Sequence, residues 1–132
     1  MQNFIRYNFG ALLWAGMILA LLFVPITGVE GKGFTALDKL IHATIFGMLC
    51  YMSIIGQIKQ HRFSPKKYRI AKYCLVFTIL FGIGTEVAQF GLGYRTFDLF
   101  DILANTVGAF AGFAYFQFWI SKCLKSAYNF NL

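Results

Sequence analysis

Residues 99–120 read LFDILANTVGAFAGFAYFQFWI, an apolar run in which Asp101 is the one charged side chain. About 20 largely apolar residues carry a helix across the hydrocarbon core of a membrane, so this stretch predicts a transmembrane helix. Working back along the chain, three more stretches qualify: about Phe9 to Val24, closed by Pro25 and Gly28, about Leu37 to Ile58, and about Ile70 to Phe90. Composition agrees. Of 132 residues, 58% are hydrophobic and 13% charged, and mean hydropathy is +0.62; a soluble domain carries roughly a quarter charged residues. The 16 Phe and 7 Tyr exclude disorder, and 3 Cys are too few for a disulfide scaffold. The expectation is an all-α protein, a bundle of four transmembrane helices (about 9–24, 37–58, 70–90 and 99–120) forming one domain over residues 1–132.

The first run has Arg6 ahead of it, as a secretory leader would. No A-x-A-like cleavage pattern follows Val24, and Pro25-Ile26-Thr27-Gly28 reads as a turn, so a retained helix is expected. Basic residues are distributed unequally. Lys59, Arg62, Lys66, Lys67, Arg69 and Lys72 crowd the link between the second and third runs. Arg6 precedes the first run, and Lys122 and Lys125 follow the fourth. Four spans place these regions on one side, with Lys32, Lys39 and Arg95 on the other, and the positive-inside rule then puts both termini in the cytoplasm. The net charge of +7 reads as topology plus contact with anionic inner-leaflet lipid, with no nucleic acid implied. Cys50 and Cys74 fall inside spans and Cys123 beyond the fourth, without a C-x-x-C, so they read as small apolar fillers.

The acids are Glu30, Asp38, Glu86, Asp98 and Asp101. Glu30 falls in a glycine-rich link and reads as solvated. The others lie at the outward ends of helices. Asp38 and His42 are spaced i, i+4; Glu86 and Gln89 are i, i+3; Asp98, Asp101 and Asn105 follow i, i+3, i+7. Each set occupies one helical face, with Arg95 in the short link between the last two. On the helical rise Asn105 lies about 10 Å beyond Asp98, and Glu86 about 6 Å inside its helix end. Ionisable groups at such depth cost roughly 2.5–3.5 kcal/mol unless they face a partner or a wet cavity. The simplest arrangement is one outward-facing polar pocket among the last three helices.

Capping offers a plainer role for Asp38 and Asp98, and interhelical hydrogen bonding one for His42, Gln89 and Asn105. Glu86, near the C-terminal end of its own helix, has no such role there, because the helix dipole opposes it. Gly108 and Gly112 form a GxxxG, continued by Ala104, that permits close helix approach. Gly82 and Gly84 offer a matching surface. Packing within one chain is the preferred reading, and a homodimer remains the other.

The set Asp38-Lys39-x-x-His42-x-x-x-Phe46, Glu86-x-x-Gln89 and Arg95-x-x-Asp98-x-x-Asp101-x-x-x-Asn105-x-x-Gly108 resembles the VanZ-like family, over about Leu37 to Gly112 and in the same order. That resemblance implies a multi-pass protein of the bacterial cytoplasmic membrane acting at its outer face, linked to reduced teicoplanin sensitivity. It implies no settled reaction.

Three functions fit the pocket. As a binding protein, it would hold an envelope lipid such as an isoprenyl phosphate through Asp38, Lys39, His42, Glu86, Gln89, Arg95, Asp98, Asp101 and Asn105. Arg95 and Lys39 would meet phosphate oxygens, and a divalent cation would bridge the carboxylates. As an enzyme on such a lipid, it would hold Mg²⁺ through Glu86, Asp98 and Asp101. His42, Glu86 and Asp101 would then be the candidate acid–base groups, although no nucleophile motif accompanies them. As a structural or proton-responsive element, the cluster would shape the bundle.

Overall fold

The computed structural model describes residues 2–22, 35–61, 66–93 and 98–129. Four helices account for them: α1 (Gln2–Leu22), α2 (Thr35–Gln60), α3 (Lys67–Gly91) and α4 (Leu99–Asn129), with no strand among the described residues. All four are long and apolar enough to cross a membrane. Their outward faces carry large apolar side chains such as Leu13, Phe77, Leu103 and Val107, as expected of a surface solvated by lipid.

The helix ends follow local chemistry. α3 stops where Leu92 donates its N–H to Ala88 O at 3.0 Å and Gly93 takes a φ of 72°, a left-handed turn open to glycine. α1 begins seven residues before the apolar count suggested, through Asn3, Arg6 and Asn8. Asn8 is kept in the helix because its Nδ2 donates to Phe4 O at 3.0 Å and to Gln60 Oε1 of α2 at 2.9 Å. α4 runs on to Asn129, past the apolar span Leu99–Trp119. The turn expected at Pro25 and the link holding Glu30 lie outside the described residues, as does the side chain of Cys123.

α2 is the centre of the bundle. α1 runs antiparallel to it, held by Asn8 and by Trp14, whose Nε1 donates to Ile45 O at 3.0 Å. α3 rests on α2 and α4, with Cys50 and Cys74 buried among Ile54, Leu75, Ala109 and Phe116. The tightest junction joins α2 and α4, which run parallel. A Cβ built on Gly47 would lie 2.9 Å from Gly108 O; one on Gly108 would overlap Ala43 O, and one on Gly112 would overlap Gly47 O. The GxxxG of α4 therefore meets Ala43-x-x-x-Gly47 of α2 inside one chain. Gly82 and Gly84 are not its match: a Cβ on Gly82 would meet Phe46 and the Asn105 Cβ at 3.1 Å, and one on Gly84 would meet nothing within 4 Å.

This contrast can be measured. Gly108→Ala should lower the stability of the protein in detergent by about 1–3 kcal/mol, the cost of overpacking against backbone that cannot move aside. Gly84→Ala should be neutral or stabilise by up to about 1 kcal/mol, because alanine is the better helix former. Equal effects in thermal unfolding followed by circular dichroism would rule out this α2–α4 contact.

Candidate functional site

The parallel seam places the first turns of α2 beside the first turns of α4. Lys39, in the second turn of α2, extends its Nζ to Asp98 Oδ2 at 2.6 Å and donates also to Asp101 Oδ1, with Asp38 Oδ2 4.0 Å away. The Asp101 side chain is 5% exposed and that of Lys39 26%. A charge-assisted bond in that setting is stronger than one in water. Lys39, expected to meet phosphate, serves here as an internal counter-ion, because the α2–α4 register sets it between two carboxylates.

One turn deeper, His42 Nδ1 lies 3.0 Å from Asn105 Oδ1. The amide oxygen can only accept, so Nδ1 donates in this bond, and Nε2 faces Asp38 Oδ1, 3.9 Å away. Asp38, His42 and Asp101 each present a ligating atom within 4.8 Å of the other two. Metal-bound histidine commonly donates its second ring N–H to a carbonyl, the role Asn105 fills here. Two hard carboxylate oxygens with one imidazole nitrogen suit Mn²⁺ or a similar divalent ion, and Mg²⁺ through the carboxylates with water. Asn105 is buried, and its Nδ2 has no hydrogen-bond partner among the described residues. That leaves a donor for an oxygen ligand at the floor of the cluster.

The acids expected to share Mg²⁺ are arranged differently. Asp101 belongs to the set just described. Glu86 is 1% exposed, and its Oε1 accepts the backbone N–H of Asp98 at 3.1 Å. Asp98 caps α4 in turn, its Oδ1 accepting the Phe100 N–H at 2.8 Å. Glu86 thus has a capping role after all, across the α3–α4 link and at the start of the next helix, where the dipole favours a carboxylate. Gln89 is half-buried one turn beyond Glu86, outside the bonds that join α2 to α4. Arg95 lies outside the described residues. His61, at the far end of α2, is remote from the cluster.

The seam from Lys39 to Gly112, with its glycines and its acids in one register, matches the family pattern read from the sequence, and the family model VanZ/LLP1 matches residues 2–120. The chain belongs to the VanZ/LLP1 family. The VanZ/LLP1 match takes in α1, α2, α3 and the membrane-spanning part of α4. No curated protein and no solved structure matches the chain.

One element beside the site carries a sequence signal that the reading above does not use. Ala43-x-x-x-Gly47, a small-x-x-x-small pair on α2, is the partner of the α4 glycines. Asp38 and His42, expected on one face of α2, are brought within reach of Asp101. Lys39→Met should destabilise the protein by roughly 2 kcal/mol, below the ~3–5 kcal/mol of a fully buried pair because Lys39 keeps some exposure. Adding Asp101→Asn should restore part of that loss. A double-mutant cycle in denaturant titrations with no coupling would exclude an energetic role for this pair.

Proposed function

We propose that the protein spans the bacterial cytoplasmic membrane with both termini inside, and that its acidic end, at the outer face, holds a divalent cation that receives the phosphate headgroup of an envelope lipid. Such binding would change how much of that lipid is exposed to a glycopeptide of the teicoplanin type. The observation that carries this reading is the convergence of Asp38, His42 and Asp101 within 4.8 Å. Carboxylates alone would repel phosphate. A dication between them cancels their charge and leaves coordination positions for phosphate oxygens, and the Asn105 Nδ2 donor supports an oxygen ligand on the same floor. Lys39 supports the site by holding α2 against α4 and limiting the repulsion between Asp98 and Asp101.

Native mass spectrometry of the purified protein tests the cation. One Mn²⁺ per chain is expected, weakened at least tenfold by Asp101→Asn or His42→Ala and unaffected by Glu86→Gln, whose consequence should be lower stability instead. Undecaprenyl phosphate should then bind only with the metal present, and binding that survives EDTA would overturn the bridged arrangement. Expression in a teicoplanin-susceptible Gram-positive host should raise the inhibitory concentration for the intact protein and not for Asp101→Asn.

Topology has its own test. A cysteine introduced as Thr96→Cys should react with an impermeant thiol reagent in intact cells. Reaction only after lysis would invert the orientation and place the acidic cluster inside.

A further inference from the structure

At the end opposite the acidic cluster, α1 stands away from α3 and leaves a groove of about 480 Å³ floored by α2. Phe4, His61 and Ile70 stand at its mouth, and Ala15, Leu49 and Phe77 at its deep end. From Phe4 to Ala15 the helix rises about 17 Å, roughly half of the ~30 Å hydrocarbon core. The groove is therefore one leaflet deep, and its walls are mostly apolar. Asn8, a polar residue on its wall, already spends both amide hydrogens on Phe4 O and Gln60 Oε1.

The mouth is basic. On α3, Ile70, Tyr73 and Phe77 follow one helical face that continues outward into Lys66, the residue before the helix, with Arg69 one turn before Tyr73. Arg6 on α1 and Lys59 on α2 are exposed at the same end. No acidic residue occurs before Glu30, between Asp38 and Glu86, or after Asp101. α3 also begins at this mouth, at Lys67, without a side-chain cap, so its positive dipole end adds to the same field.

We infer that this groove holds one acyl chain of an anionic phospholipid, its phosphate lying against Lys66 and Arg69 at the mouth. An apolar slot one leaflet deep selects a lipid tail, and an end carrying cations and no acid selects an anionic head over a zwitterionic one. This site is independent of the cation cluster, which lies at the other end of α2.

The test is native mass spectrometry of the full-length protein, delipidated in detergent and titrated with phosphatidylglycerol or phosphatidylcholine of identical chains. A single preferred phosphatidylglycerol adduct is expected, about tenfold tighter than phosphatidylcholine. Leu12 lines the groove and is 45% exposed, so Leu12→Trp should fill the slot and weaken the adduct at least fivefold without lowering the melting temperature. The double variant Lys66→Gln with Arg69→Gln should abolish the preference for the anionic head, and it reports on the site even if Leu12→Trp misfolds. EDTA and Asp101→Asn should leave the adduct intact. Equal binding of both lipids by the unaltered protein, or a preference for phosphatidylglycerol that survives the two basic substitutions, would overturn the proposal. A chain dimer in place of lipid adducts would assign the groove to a second copy instead.

Discussion

The approach of two helix backbones at Gly47, Gly108 and Gly112 is the constraint on which the rest of the structure depends. Side chains at these positions would collide with carbonyl oxygens of the facing helix. In lipid no hydrophobic effect drives helices together, so van der Waals contact between bare backbones has to do so. Once Gly108 lies on Ala43 and Gly112 on Gly47, the register of α2 against α4 admits no slip. Each α2 position then faces a set α4 position, and the polar residues three to ten positions before Gly47 and Gly108 come together as a consequence. His42 reaches Asn105, and Lys39 reaches Asp98 and Asp101.

That geometry explains how so many ionisable groups persist at one end of an apolar bundle. Lys39 bonds to two carboxylates, Asp98 caps α4, and Glu86 receives the N–H of the capping residue. Three of the four carboxylates described here thus sit where a helix N-terminus or an ammonium offsets their charge, and the fourth, Asp38, lies in the first turn of α2. The cluster is accordingly structural and chemical at once. Its outer layer, Glu86, Asp98 and Lys39, fastens α3 and α2 to the start of α4. Its inner layer, Asp38, His42 and Asp101, brings ligating atoms within 4.8 Å of one another, with Asn105 bonded to His42 beneath them.

The four spans and the gathering of Asp38, His42, Glu86, Asp101 and Asn105 at one end were legible in the sequence, because hydropathy and helical periodicity are local properties. What was not legible depends on which helix faces which. Glu86 reads as a misplaced charge until Asp98, at the start of α4, brings its N–H to it. Lys39 reads as a phosphate ligand until the seam sets it between Asp98 and Asp101. The start of α1 was hidden for the same reason: Asn8 interrupts an apolar count, and only Gln60, 52 positions later, shows why it is tolerated. Gly82 and Gly84 drew attention by spacing alone. The decisive property was the presence of a facing backbone, which Gly84 lacks.

The helices are unequally committed to the core, and this bears on how the two ends can act. Only 17% of the apolar window of α1 is buried, against 39% in each of the other three spans. α1 is attached along one edge, through Asn8 and Trp14, to the face of α2 turned away from α4. A small outward movement of α1 would widen the groove at the basic end while leaving the glycine seam, and so the polar cluster, in register. Tight packing between α2 and α4 preserves the geometry that ligation needs, whereas a loosely held α1 suits a slot that admits a flexible chain. Both demands meet on α2, whose two faces serve them separately.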